Sequence, residues 1–159
     1  MKELVILRHA KSNRTYRVDD IHRPLLEQGI ARIEEVAHQK SSFFQDADII
    51  LSSPANRALH TAIIMMHELR IPFENLRVDR YLYTFSGASV VDYIYGLDDR
   101  WSKVVLVGHN PAFTEVINHF SSPGINHLRT AGLAKITFEE ELWHELSRGE
   151  LELGQKRKQ

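Results

Sequence analysis

Apolar residues run along this chain in short unbroken blocks and in helical stripes, with little strict alternation. The first block, Leu4-Val5-Ile6-Leu7, is closed by Arg8 and His9, the pattern of a strand buried on both faces of a sheet. Beyond a polar loop, Arg23-Pro24-Leu25 introduces a segment reaching about Gln39. There Leu26, Ile30, Ile33 and Ala37 recur at intervals of three and four, which predicts an amphipathic helix. Residues 48–51 read as a second short strand. Ser52-Ser53-Pro54 then reads as a helix start, with Ser53 as N-cap and Pro54 in the first helical position. Ala58, Ala62, Met65, Met66 and Leu69 form the buried stripe of that helix. Residues 76–79 make a weaker strand, 86–97 a helix, and 104–107 a strong buried strand running into Gly108-His109-Asn110-Pro111. Phe113, Val116, Ile117 and Phe120 mark another helix.

Strands alternating with helices at this spacing predict an α/β fold of three layers, α/β/α, in which a mostly parallel sheet is covered on both faces by right-handed crossovers. After Pro123-Gly124 the pattern changes. Residues 133–138 alternate well enough for a further strand, and 143–154 are short and mixed, which suggests edge strands closing the sheet. The ending, residues 155–159 with Lys156-Arg157-Lys158, reads as a solvated tail. With no repeat or linker, one domain spanning 1–159 is the expectation.

Composition narrows the chemistry. A net charge of -1 provides no broad field to attract a polyanion, so nucleic acid is not an expected partner and any anion must be held by locally placed cations. Cysteine is absent, which removes disulfides, thiol nucleophiles and thiolate metal sites. No apolar run approaches the roughly 18 residues of a membrane span. The chain starts directly into a strand, with no signal-peptide pattern. A cytoplasmic protein without membrane contact is the expectation. No two histidines lie within five positions of each other, so the usual local metal-ligand pairs are missing and no metal or other cofactor is expected.

In open parallel sheets, ligands bind outside the carboxyl ends of the strands. Three such ends carry the cations and imidazoles here: Arg8-His9-Ala10-Lys11-Ser12, Ser52-Ser53-Pro54-Ala55-Asn56-Arg57, and Gly108-His109-Asn110-Pro111. Arginine presents a planar, permanently charged fork that fits phosphate oxygens, and helix amides add partial positive charge. A neutral imidazole, aimed by a hydrogen bond at one ring nitrogen, is a competent nucleophile toward phosphorus. Together the three loops make the inventory of a phosphoryl-transfer site.

LRHAKS, SSPANRALHTA and LVGHNP resemble the three hallmark segments of the histidine phosphatase superfamily, whose fold is phosphoglycerate-mutase-like. RHAKS, the short chain and the segment from Arg23-Pro24-Leu25 to Gly29 are similar to the SixA-type phosphohistidine phosphatase branch. The resemblance spans roughly Leu4 to Phe120. It implies that His9 is the nucleophile, that Arg8 and Arg57 bind phosphoryl oxygens, that His109 stabilises the transferring group, and that Arg23 completes the pocket. Ser12 and Asn110 would support substrate binding. Phosphate or sulfate would fill the pocket, and the partner would be a histidine-phosphorylated protein, for instance in a phosphorelay. That branch is expected to carry an acid next to the arginine of its RPL segment. Here that place is His22, while Asp20 keeps the outer acid.

The segment Tyr81-Leu82-Tyr83-Thr84-Phe85-Ser86 holds no carboxylate where mutase-like relatives place a glutamate, and none lies between Arg80 and Val91. An alkoxide leaving group needs a positioned acid, help worth roughly 10²–10⁴ in rate, whereas the nitrogen of a phosphoimidazole leaves more readily. Residues 58–108, between Arg57 and His109, are nearly filled by two strand–helix units, so no lid insertion is expected. The leading expectation is therefore a metal-independent phosphohistidine phosphatase working through a phosphohistidine enzyme intermediate. The alternatives are a small-molecule phosphomonoesterase using another acid such as Asp79 or Asp92, and a non-catalytic phospho-ligand binding module.

Overall fold

The computed structural model of the chain describes residues 1–155; the expected tail, but for Gln155, lies outside the described residues. Six strands form one sheet: β1 (Lys2–Arg8), β2 (Ile49–Ser52), β3 (Leu76–Val78), β4 (Lys103–Gly108), β5 (Leu133–Phe138) and β6 (Glu150–Leu153). Their order is β3-β2-β4-β1-β5-β6. β3, β2, β4 and β1 pair in parallel, and β5 runs antiparallel to both of its neighbours, β1 and β6. Of the parallel strands, β1, β2 and β4 carry the continuous apolar runs, and β1 and β4 are sealed on both faces, with Leu4 to Leu7 and Val104 to Val107 fully buried.

Five helices cover the sheet: α1 (Glu27–Gln39), α2 (Ser41–Phe44), α3 (Asn56–Glu68), α4 (Gly87–Tyr95) and α5 (Ala112–Phe120). Side chains alternate along β1, so Val5 and Leu7 pack with Ile33, Val36, Ala62 and Met66 of α1 and α3. Leu4 and Ile6 face the other way, toward Val90, Ile94, Val116, Ile117 and Trp143. This is the expected three-layer α/β/α architecture of the phosphoglycerate-mutase-like fold. No helix among the described residues is long and apolar enough to cross a membrane.

Two expected boundaries move. The helix after β2 starts at Asn56 with Ala55 as N-cap, two residues later than Ser53-Pro54 implied. Ser53 instead accepts a bond from Ala55 N at 3.2 Å and turns its hydroxyl inward, so the serine serves the turn and the sheet edge. The mixed region 143–154 yields one edge strand, β6, preceded by a single 3₁₀ turn at Trp143–Glu145. Trp143 is fully buried there and donates its indole N–H to Trp101 O at 2.9 Å.

The amino end of α1 is stitched to the loop that leaves β1. Ser12 and Leu25 form an isolated antiparallel bridge, and Leu26 N donates to Lys11 O at 2.9 Å. Gly29 makes this approach possible, because a Cβ there would stand 2.4 Å from Lys11 O and 3.0 Å from Lys11 N. Both are backbone atoms, so relief requires α1 or the loop to move. Gly29→Ala is expected to destabilise the protein: overpacking typically costs about 1–3 kcal/mol, against about 1 kcal/mol gained from alanine's helix propensity. Thermal unfolding should show a Tm lower by a few degrees; an unchanged or raised Tm would mean that α1 moves aside at no cost.

Candidate active site

The site is built where β1, β2 and β4 end together. Arg8 is in register with Gly108 across the parallel β1–β4 pair, and His9 N continues the ladder to Gly108 O at 3.1 Å. Each strand's next residue therefore delivers an imidazole to the same edge. The His9 and His109 ring centroids lie 5.5 Å apart. β2 ends beside them, with Ser53 N bonded to Val107 O at 3.0 Å.

His9 is 5% exposed. Its Nδ1–H donates to the Ala10 carbonyl at 2.7 Å, which leaves the Nε2 lone pair for the pocket. Burial pushes its pKa down to about 3, with His109, Arg57 and Arg8 adding to the effect against the opposing pull of the Ala10 bond. His9 is therefore a neutral imidazole at physiological pH. The loop that carries it is pinned to α3, because Ala10 N donates to Thr61 Oγ1 at 3.0 Å and Thr61 Oγ1 donates to Arg57 O at 2.7 Å.

His109 is 1% exposed. Ser53 Oγ lies 2.7 Å from its Nε2; the hydroxyl accepts from Ala55 N, and because its own hydrogen has no other acceptor among the described residues, it is given to the imidazole. The tautomer that follows places hydrogen on Nδ1, a buried atom with no partner. Burial first, then the neighbouring Arg57, hold the His109 pKa at about 4. Its donor capacity is thus that of a neutral ring.

The arginines are equally constrained. Arg57, the second residue of α3, is 1% exposed. It spends Nη1 on Asp20 O at 2.7 Å and Nη2 on Asp20 Oδ2 at 3.0 Å, leaving Nε buried and unpartnered. Arg8 anchors Nη1 on Leu128 O at 3.0 Å, and its Nε is likewise buried and unpartnered. Arg23 reaches the same corner, with Nε on Ser12 Oγ at 2.9 Å and Nη1 on Asp20 Oδ1 at 3.0 Å.

Six of the seven residues expected at the site from sequence, Arg8, His9, Ser12, Arg23, Arg57 and His109, are gathered at this edge. Ser12 contributes through Arg23. Asn110 is used elsewhere: its Nδ2 donates to Leu128 O at 2.7 Å and its Oδ1 accepts from Thr114 N and Oγ1. It therefore shapes the 128 loop that also holds Arg8.

Two residues outside the sequence-based set join the cluster. Asp20 is the hub of the arginines, and Tyr83 O–H donates to Asp20 Oδ2 at 2.5 Å. The Tyr83 and Phe85 rings pack on His109 at 5.5 and 5.6 Å. Burial alone would raise the Asp20 pKa, but the bonds from Tyr83 and Arg57 outweigh it and keep the carboxylate below its ordinary value. Asp20 was visible only as an acid near the RPL segment. Nothing local marks Tyr83, because its partner is 63 residues away.

Among the described residues, the buried side-chain nitrogens and oxygens without a hydrogen-bond partner are Arg8 Nε, Arg57 Nε and His109 Nδ1. All three are donors, and all three belong to residues close enough to His9 to depress its proton affinity. Buried donors left open carry a desolvation cost of about 1–3 kcal/mol each unless a ligand satisfies them; the complementary ligand is a compact anion with several oxygens. Among the same residues, no group of three or more histidine, aspartate or glutamate side chains is arranged to hold a metal ion.

Residues 4–78 match the family model described as histidine phosphatase superfamily (branch 1). No curated protein sequence matches the chain. Among solved structures, the protein assigned as phosphohistidine phosphatase SixA in Agrobacterium tumefaciens superposes with a TM-score of 0.76 at 24% identity, covering 86% of this chain and 92% of that one. The protein histidine phosphatase SixA complexed with tungstate gives 0.78 at 19%, with 94% of each chain covered. A mycobacterial glucosyl-3-phosphoglycerate phosphatase gives 0.71 at 16%, covering 96% of this chain and 98% of that one. The fold similarity extends over nearly the whole chain, and the match to the histidine phosphatase superfamily takes in the segments that carry Arg8, His9 and Arg57.

Proposed function

We propose that the protein is a metal-independent phosphohistidine phosphatase acting on histidine-phosphorylated proteins. The observation that carries the reading is the set of three buried, unpartnered donors, Arg8 Nε, Arg57 Nε and His109 Nδ1, around a neutral His9. The match of residues 4–78 to the superfamily supports phosphatase chemistry, and tungstate in a SixA of the same fold is an oxyanion of the kind such donors would hold.

His9 Nε2 would attack phosphorus, forming a P–N bond as the P–N bond to the substrate imidazole breaks and the electron pair returns to that nitrogen. Water then attacks the phosphoryl group on His9. Its oxygen bonds to phosphorus, His9 Nε2 recovers its lone pair, and the released water proton leaves with phosphate or solvent. The two arginine Nε–H groups and His109 Nδ1–H face the charge on the equatorial oxygens, preorganised before substrate arrives.

The leaving group follows from what the nearby carboxylates are doing. Asp20 is held ionised by Arg57, Arg23 and Tyr83. Asp79 accepts from Tyr81 N and Tyr93 O–H, and Glu115 accepts from Gly87 N at the start of α4. Asp92 is exposed on α4. None of these is placed as a free acid for an alkoxide, which favours a substrate whose leaving atom is an imidazole nitrogen.

Three outcomes test this reading. His9→Ala should abolish turnover, and His109→Ala should lower kcat by about 10²–10³, the usual loss for one preorganised donor. Radiolabelled substrate should leave acid-labile, base-stable phosphate on the wild type and none on His9→Ala; label that survives acid would remove His9 as nucleophile.

Histidine NMR titration of the free protein should show two rings, His9 and His109, staying neutral well below the ordinary imidazole midpoint of about 6.5. The unfolded chain takes up protons at these rings near that ordinary value, while the folded one resists until about 3 and about 4. Stability from this source is therefore complete above the unfolded value and declines as pH falls below it. Ordinary midpoints for all titrating rings would contradict the buried, neutral pair.

In chelator, a phosphohistidine protein and an aryl phosphate should turn over far better than a sugar phosphate. Equal kcat/KM across the panel would favour the phosphomonoesterase alternative, and loss of activity restored by divalent metal would overturn metal independence.

A further inference from the structure

Lys11, two residues beyond His9, lines a groove of about 330 Å³ that also takes in Gln28, Arg32, Arg129, Thr130 and Gln155. Three cations border it and no carboxylate does. Gln28 also lines an adjoining open groove of about 720 Å³, beside Tyr16, Pro24 and Leu26 and with Asn13 and Glu27 on its polar side. At the other end, Arg129 and Gln155 are shared with a hollow of about 380 Å³ that reaches His127 and Leu128. The shared residues place the three side by side as one trough, with a mixed end at Tyr16, a cationic middle and a further end at His127 and Leu128 next to Arg8.

The trough is tied to the catalytic edge by its own wall. Ala131 N donates to His9 O at 3.0 Å. Leu128 O and His127 Nε2 lie 3.0 and 3.4 Å from Arg8 Nη1. What occupies the trough therefore sits against the segment that holds both the nucleophile and its arginine.

Its charge singles out the occupant. Lys11 and Arg129 form no ion pair among the described residues, and Arg32 has a single exposed partner, Glu35, at 3.3 Å. On a chain of net charge -1, this is a local concentration of positive charge outside the phosphate pocket. At the far end Tyr16 is 61% exposed, an aromatic surface open for packing. A substrate whose only charge was its phosphate would leave these cations facing water.

We propose that the trough docks an extended acidic segment of the phosphorylated protein substrate, its carboxylates along Lys11, Arg32 and Arg129 and an apolar residue against Tyr16. This rests on the phosphohistidine reading and adds to it the kind of protein recognised. Several exposed pairs, each weak and screened by salt, together steer association and contribute a salt-dependent gain in KM.

The test uses the whole protein and a variant, Arg32→Glu with Arg129→Glu, whose side chains are outside the phosphate pocket. Substrates are a phosphohistidine peptide flanked by glutamates, the same peptide with glutamines instead, and an aryl phosphate. Wild type should prefer the glutamate peptide by roughly tenfold in kcat/KM, mainly through KM, with the preference fading at high salt. The variant should lose that preference and keep its aryl phosphate turnover. Equal kcat/KM for the two peptides on wild type, or an undiminished preference in the variant, would overturn the proposal.

A second arm measures binding of the unphosphorylated peptides by fluorescence anisotropy. If wild type hydrolyses aryl phosphate but neither peptide, the phosphohistidine reading has failed, and anisotropy decides the trough alone. Tighter binding of the glutamate peptide, weakened by the double variant, sustains it. Indistinguishable binding, or an oligonucleotide bound more tightly than the peptide, overturns it.

Discussion

Everything at the site depends on the parallel pairing of β1 with β4. Neither strand has any freedom of register, because each is buried on both faces, and a slip of one residue would turn the Leu4 and Leu7 rows into the wrong layers. That rigidity is what the chemistry uses. The ladder runs out at Arg8 and Gly108, and the next residue on each chain is a histidine. Two imidazoles are thereby held 5.5 Å apart without either needing a flexible loop to find the other.

Burial then does to the histidines what a metal or a strong base does elsewhere: it settles their protonation. A charged ring at either position would be desolvated and would face Arg8 and Arg57, so both rings are neutral. The one hydrogen bond that each ring makes selects its tautomer. Ala10 O takes the Nδ1 hydrogen of His9 and frees Nε2 as a lone pair, while Ser53 supplies a hydrogen to His109 Nε2 and makes Nδ1 a donor. Two identical side chains on neighbouring strands thus present opposite faces, one nucleophilic and one electrophilic, to the same small volume.

Asp20 resolves a different problem, that of keeping three arginines within mutual reach. Arg57 repels both Arg8 and Arg23, and a pocket of bare guanidinium groups would splay. One carboxylate bonded to Arg57, Arg23 and Tyr83 offsets that repulsion and fixes the planes of two forks. Arg57 is held by its two terminal nitrogens, and its Nε stays open. The site is therefore assembled around an internal anion so that it can receive an external one.

Much of this was legible in the residues themselves. Fully apolar runs such as Leu4 to Leu7 and Val104 to Val107 can only be buried parallel strands, and the helical stripes between them leave little choice but a covered sheet. Arg8-His9 and His109 stand at strand ends and Arg57 opens the helix that follows another, so local order placed them at one edge. The start of α3 was misplaced because Ser53-Pro54 has the signature of a cap, while the hydroxyl is claimed by an imidazole 56 residues away. Asn110 sat in the right motif but turned to the 128 loop, again for a distant partner. Tyr83, the role of Asp20, the tautomers of His9 and His109 and the cationic trough all arise from contacts between segments far apart in the chain. Periodicity and propensity report what a residue does with its neighbours within a turn or a strand. Which nitrogen is left without a partner is decided only when the remote groups that compete for it have been packed into place.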